Sequence, residues 1–215
     1  MTTSLRITEI FHSLQGEART AGRPTTFVRL TGCPLRCGYC DTEYAFHEGN
    51  PMSIDEVMAE VERIGCRLVE LTGGEPLLQK EAIPLMQRLV AEGYRVMLET
   101  GGSLSVADVP AGVKRIVDIK CPGSGEAARN RWENLEHLEH DDELKFVIAD
   151  REDYRWAAEQ VRERALAERC TVLFSPVQDG LEPGELADWI LADGLSVKLQ
   201  IQLHKLLWPG VLRGV

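Results

Sequence analysis

Three of the six cysteines of this 215-residue chain, Cys33, Cys37 and Cys40, crowd into one short string, GCPLRCGYCDT. Thiolates are soft ligands that suit iron–sulfur clusters and zinc. On a glycine-flanked loop, C-x-x-x-C-x-x-C lets three sulfurs converge on one cubane. A purely structural 4Fe–4S centre uses four cysteines. Three leave one iron without a protein ligand and open to a small molecule. The other reading of the same residues is a structural zinc with His47 as fourth ligand. Cys66, Cys121 and Cys170 are scattered and read as small buried apolar side chains. In a reducing compartment a disulfide framework is not expected.

The elements around the loop alternate strand and helix. TTFVRLTG (25–32), RLVELT (67–72), YRVMLET (94–100), RIVDIK (115–120), ELKFVIA (143–149), TVLFSP (171–176) and VKLQIQ (197–202) read as strands. LRITEIF (5–11) reads as an added edge strand. Ser53 and Glu56 form a capping box ahead of a helix to about Ile64. Gln79 to Glu92 reads as a helix stopped by Gly93. Arg151 to Glu168 and Pro183 to Ala192 read as two more. Residues 103–114 and 121–142 look irregular or only briefly helical. The pattern implies an α/β fold with a parallel sheet and right-handed crossovers, a partial, open β/α barrel in a single domain over 1–215. In such sheets chemistry sits beyond the carboxyl ends of the strands. GCPLRCGYCDT, TGGEP, ETGG and KCPGSG all fall there.

The formal net charge of −10 weighs against a nucleic-acid partner, which needs phosphates neutralised by Lys and Arg. No stretch approaches the roughly 20 apolar residues of a membrane helix. The start MTTSLRITEI has no apolar run after a basic segment, so a cytoplasmic chain is expected.

CPLRCGYC resembles the signature of the radical S-adenosylmethionine (SAM) superfamily, and GGEP one strand later matches its glycine-rich loop. The resemblance implies that the open iron binds the amino and carboxylate groups of SAM and that one electron cleaves SAM to methionine and a 5′-deoxyadenosyl radical. It places Tyr39, Asp41, Gly74, Asp118, Ile119, Lys120, Ser175, Pro176, Val177 and Gln178 at SAM.

A narrower resemblance covers most of the chain. EIFHSLQGEARTAGRPTTFVRLTGCPLRCGYCDT, TGGEP, ETGGSL, DIKCPGSGE, ELKFVI, LFSPV and LQIQLHKLLW are similar to the 7-carboxy-7-deazaguanine synthase family. Two departures stand out. SLQGEA replaces the more usual SLQGEG, and Gly101 and Gly102 replace the asparagine–glycine of ETNGS. The family reaction converts 6-carboxy-5,6,7,8-tetrahydropterin to 7-carboxy-7-deazaguanine and ammonia, in the route to queuosine-type 7-deazapurines. Hydrogen would be abstracted from C6, and SAM would be re-formed. The resemblance also implies magnesium with Thr42 in its shell, a flavodoxin-type reductant and a homodimer.

Several residues suit such a substrate. Arg29 offers a rigid fork for a carboxylate; its other reading is a salt bridge at a strand end. Leu14, Gln15, Gly16 and Glu17 offer backbone groups, an amide and a carboxylate to a pterin edge, or form an ordinary polar turn. Thr72 and His204 carry over as substrate contacts, and Val215 as a terminal group in the pocket. Two rival functions remain on the sequence: an activase that installs a glycyl radical on a partner protein, and a non-catalytic iron–sulfur electron carrier or sensor.

Overall fold

A computed structural model describes residues 4–215. The strands are β1 (Ser4–Leu14), β2 (Pro24–Leu30), β3 (Asn50–Ser53), β4 (Leu68–Gly73), β5 (Arg95–Thr100), β6 (Val113–Ile119), β7 (Glu143–Ile148), β8 (Thr171–Pro176) and β9 (Lys198–Leu199). They form one sheet in the order β3-β1-β2-β4-β5-β6-β7-β8-β9. From β2 to β9 every pairing is parallel; β1 is antiparallel to β2 and to β3. The ends do not meet, so this is the open, partial barrel that the pattern of elements implied.

Side chains alternate across each strand. One face of the sheet, with Val69, Leu71, Val96, Leu98, Val117, Ile119, Leu144, Phe146, Val172 and Phe174, packs under the helices α1 (Ile54–Ile64), α2 (Ala82–Ala91), α3 (Arg151–Glu163) and α5 (Pro183–Asp193) as the main core. The concave face has only a small apolar cluster, Ala18, Leu68, Met97 and Ile116, at one end. Its other end carries Glu70, Thr72, Glu99, Asp118 and Lys145. Parallel strands buried on both faces normally read as unbroken apolar runs, so these polar positions mark the face where a ligand belongs.

Local chemistry explains the element ends. Ser53 and Glu56 make both bonds of the capping box, and Gly65 closes α1 at φ 78°. The helix expected from Gln79 starts only at Ala82. Pro76–Leu78 is a 3-10 turn, and the Gln79 amide donates to the carbonyls of Arg6 and Thr31. The helix expected to run to Glu168 breaks after Glu163. Ala165 takes φ 50°, and a separate short turn, α4 (Leu166–Arg169), follows. β1 is not an edge strand, because the unforeseen β3 pairs along its outer side. The strand expected over 197–202 shrinks to Lys198–Leu199. Beyond it Gln200 and Gln202 turn inward to Glu17, and a short helix, α6 (Leu203–Leu207), follows. Residues 103–114 and 121–142 contain no strand before Val113 and only 3-10 turns, as expected. Cys121 and Cys170 are buried as expected, whereas Cys66 is half-exposed and donates its thiol to the Pro24 carbonyl.

Candidate active site

The cysteine loop leaves β2 at Leu30 and lies against the loop that leaves β4. Gly73 takes φ 141°, and a Cβ there would stand 2.2 Å from the Leu30 carbonyl oxygen. A Cβ on Gly74 would stand 2.2 Å from the Gly32 oxygen and 3.0 Å from the Cys33 Cβ. Two glycines are therefore required for these loops to touch. Glu75 locks the arrangement. Its amide donates to the Gly32 carbonyl at 2.7 Å, and its buried carboxylate accepts from Leu77 N, Thr100 Oγ1 and Gly101 N. The far side of the cysteine loop is tied down by Gly38 N to the Ser124 carbonyl and by the Arg36 guanidinium to the carbonyls of Cys33 and Leu35.

The three cysteines face one cavity of about 820 Å³ at the carboxyl ends of the strands. Among the described residues, no three His, Cys, Asp or Glu side chains close tightly enough to hold a single metal ion. His47 is outside the cavity, its ring edge-on to Phe46. The mononuclear zinc reading therefore lacks its ligand set, while the three thiols share the wall of one cavity, as attachment of a cluster requires.

Leu14, Gln15, Gly16, Glu17, Arg29, Tyr39, Asp41, Thr42, Thr72, Gly74, Asp118, Lys120, Ser175, Pro176, Val177, Gln178, His204 and Val215 all line this cavity. Ile119 does not. It lies between Asp118 and Lys120 on β6, so alternation sends its side chain into the core under the helices. Two buried polar atoms of the lining, Tyr39 OH and Asp118 Oδ1, have no protein partner. Buried polar groups are seldom left unpaired, so both point to a ligand with hydrogen-bonding groups. With the glycine-lined wall at Gly74 and Gly101, the cavity fits a cluster and a nucleoside-bearing cofactor.

One wall is built from the turn after β1 and the C-terminal segment. Leu203 N donates to the Gly16 carbonyl at 2.9 Å, and a Cβ on Gly16 would stand 2.0 Å from His204 Nδ1. Burial lowers the His204 pKa, favouring the neutral imidazole. Glu17 accepts from the amides of Gln200 (3.0 Å) and Gln202 (2.7 Å) and from Lys145 Nζ (2.8 Å). Val215 reaches the cavity from a tail held by Arg213, whose fork meets both oxygens of Glu48 at 2.8 Å.

Both sequence departures have a local account. Gly102 takes φ 71° and faces the Asp118 carbonyl, so it must be glycine. Gly101 has an ordinary φ, and a Cβ there would meet the end of the flexible Leu35 side chain at 3.2 Å, with Glu75 Oε2 at 3.4 Å and Lys120 Cε at 3.8 Å in ordinary contact. Ala18, in place of the usual glycine, takes φ 61°. Its methyl compensates by packing on Leu68, Met97 and Ile116. Ala18→Gly should thus change stability by less than about 1 kcal/mol, strain relief offsetting the lost methyl. Ala18→Val should destabilise by about 1–3 kcal/mol, because a β-branched residue resists positive φ. Thermal melts of the two variants check this.

Arg29 donates through Nε to Glu9 at 2.8 Å, and Tyr44 OH donates to the same oxygen. Among the described residues nothing hydrogen-bonds the terminal guanidinium nitrogens, although the group lies against the Phe11 and Tyr44 rings, so the salt bridge and the open fork coexist. Thr42 donates its hydroxyl to Asp41 at 2.8 Å. Burial opposes charge on Asp41, but Lys205, 2.7 Å away, outweighs it and holds the carboxyl below its usual range.

Three charged residues of the floor, Glu70, Glu99 and Lys145, escaped the sequence reading. Lys145 Nζ meets Glu17 and Glu99 directly and stands 3.8 Å from Asp118, which pairs with Lys120 at 2.8 Å. Burial works against the Lys145 charge, but Glu17, Glu99 and Asp118 raise its pKa well above the ordinary value. The available signal was a charge inside each of the apolar runs RLVELT, VMLET and ELKFVI. A charge in a doubly buried strand needs a partner.

The sequence profile of the Radical SAM superfamily matches residues 27–189. The chain is 48% identical over 226 aligned positions to the 7-carboxy-7-deazaguanine synthase of Koribacter versatilis (strain Ellin345), covering 98% of this chain and 100% of that protein. It is 44% identical to the synthase of Chlorobaculum tepidum, covering 98% and 97%. The crystal structure of QueE from Escherichia coli has the same fold, with a TM-score of 0.78 at 24% identity over 94% of this chain and 95% of that one. From the cysteine loop to the C-terminal segment, the chain belongs to the radical SAM superfamily and, within it, to the 7-carboxy-7-deazaguanine synthases.

Proposed function

We infer that the protein is the ring-contracting lyase that converts 6-carboxy-5,6,7,8-tetrahydropterin to 7-carboxy-7-deazaguanine and ammonia, on the way to queuosine-type 7-deazapurines. The observation that carries this is one cavity with three convergent thiols on one wall and, on the others, an open guanidinium fork and a ring of amides and carboxylates. Held by Cys33, Cys37 and Cys40, a 4Fe–4S cluster with bound SAM supplies a carbon-centred radical able to take hydrogen from C6 of the pterin.

The chain's own residues position the rest. Asp118 Oδ1 and Tyr39 OH offer unpaired polar atoms at the SAM end, beside Gly74, Lys120 and the Ser175–Gln178 segment. At the other end Arg29 holds the pterin carboxylate, and the Leu14–Glu17 turn, Thr72 and neutral His204 hold the ring edges. Arg29→Ala should raise the KM for the pterin roughly 10- to 150-fold, the loss of a charge-assisted pair. Iron content should not change. Steady-state kinetics with an iron assay checks both.

Magnesium has oxygen ligands within reach in Thr42 and the substrate carboxylate, and it prefers such ligands. Rigorous chelation should therefore slow turnover, and Thr42→Val should blunt the recovery on adding magnesium back. No helix among the described residues is long and apolar enough to cross a membrane. The reading includes a cytoplasmic location, a homodimer and a flavodoxin-type electron donor. The activase alternative is disfavoured by the floor, which is walled with fixed side chains for a small polar ring. A pterin deuterated at C6 tests the reading: deuterium should appear in SAM recovered after turnover. Deuterium retained at C6, with SAM unlabelled, would refute it.

A further inference from the structure

Among the acids of the cavity floor, Glu70 stands apart. Asp118 has Lys120 and Lys145 beside it, and Glu17 and Glu99 share Lys145. Among the described residues Glu70 forms no ion pair, yet its side chain is buried at the middle of β4 with the residue 1% exposed. Its Oε2 accepts from the Gln15 amide. Its other neighbour in hydrogen-bonding reach is a second carboxyl, Glu99 on β5. Gln15 is 4% exposed and engaged at both ends of its amide, since its Oε1 accepts from Glu17 N at 3.0 Å. Its backbone continues the β1–β2 ladder, with Gln15 N to the Arg23 carbonyl and Gly22 N to the Gln15 carbonyl, both at 2.8 Å. The turn that carries Gly16 and Glu17 into the cavity is thus braced from below by one carboxyl.

Two carboxylates cannot face each other in a buried site without a cation between them, and a proton on one converts the repulsion into a hydrogen bond. We propose that Glu70 is a positioning residue: it donates a hydrogen bond to Glu99, accepts one from Gln15, and so fixes the Gln15–Glu17 turn at the substrate end of the cavity. This rests on the synthase reading only for the substrate; the protonated brace itself does not.

The charges facing Glu70 support it. Glu99 comes from β5, Glu17 from the turn after β1 and Lys145 from β7; Arg29, on the adjoining β2, is engaged by Glu9. Burial, then Glu99, then Glu17 push the Glu70 pKa well up, and Lys145 offsets only part of this. A carboxyl whose folded pKa is raised contributes stability that is present in full below its ordinary value of 4.5 and is lost as pH rises through the raised one.

Three measurements test the proposal. Infrared difference spectra of the wild-type protein against E70Q at neutral pH should show a protonated-carboxyl band that the variant lacks; its absence from the wild type overturns the proposal. In thermal melts across pH, the wild type should lose more stability than E70Q as pH rises above 4.5, because E70Q retains only the Glu99 contribution; equal pH dependence overturns it. In kinetics, E70A should raise the KM for the carboxypterin about tenfold at unchanged iron content, as when a buried hydrogen-bond partner is removed. E70Q keeps both the donor and the acceptor and should restore KM to near the wild-type value. E70Q as impaired as E70A would mean that an ionised Glu70 is needed and would overturn the brace. If no deazaguanine forms with any variant, the synthase reading fails, while the infrared and melting results still decide the protonation of Glu70.

Discussion

Alanine at Cys33, Cys37 or Cys40 should abolish the iron–sulfur cluster and all turnover. Iron in anaerobically reconstituted protein should fall from about four per chain to near zero, since a cubane held by three thiolates loses its attachment with any one of them. The other thiols are poorly placed to substitute, and Cys121, the one nearest the loop, is wholly buried in the main core. Cys66 lies at the other end of the sheet, bonded to the Pro24 carbonyl, and Cys170 is buried ahead of β8. Cys66→Ala and Cys170→Ala should therefore leave iron unchanged. The fold should survive all these replacements, because the loop is held by Gly38, Arg36 and Glu75 rather than by the thiols. Iron analysis with circular dichroism reads both outcomes. Loss of iron on removing Cys66 or Cys170 would mean a fourth protein ligand and no open iron.

Lys145→Met should be the most damaging replacement outside the cluster loop. It keeps the aliphatic stem and removes the one ammonium that Glu17 and Glu99 share. Breaking a buried ion pair by deleting one partner costs about 3–5 kcal/mol. The pH dependence of the Glu17 contribution should also reverse. Burial opposes charge on Glu17, but Lys145 outweighs it and lowers the pKa, so in the wild type this contribution is present above 4.5 and lost as pH falls. Without Lys145, burial raises the Glu17 pKa, as it already does for Glu99. The variant should then lose stability as pH rises through the elevated values. Urea titrations at several pH values check this. A variant destabilised equally at every pH would show that Lys145 contributes packing and not charge.

The fold was legible where periodicity is strong. The six parallel strands from β2 to β8, the Ser53 capping box and the Gly93 stop all came directly from residue pattern. The misses come from tertiary contacts that no local pattern encodes. α2 starts late because the Gln79 amide serves two distant carbonyls. β9 is short because Glu17 draws Gln200 and Gln202 out of line. β3 is four residues containing a proline, too short and atypical to read as a strand.

At the site, motif residues were found because their chemistry is carried by types at fixed spacing, cysteines and glycines above all. Glu70, Glu99 and Lys145 were passed over because each lies singly in a different strand. Only the fold gathers them: alternation turns all three to the concave face, where the Lys145 side chain reaches across β6 to Glu99. Ile119 shows the converse. Of the consecutive residues Asp118, Ile119 and Lys120, strand alternation admits only the outer two side chains to the cavity.

The central claim is that one cavity joins the cluster to a carboxypterin. Its most direct test is an anaerobic assay with reconstituted protein, a low-potential reductant, SAM and 6-carboxy-5,6,7,8-tetrahydropterin, followed by mass spectrometry. The account predicts 7-carboxy-7-deazaguanine in many equivalents per SAM supplied, with ammonia released in step. Reductive cleavage of SAM to 5′-deoxyadenosine with the pterin recovered intact would contradict it.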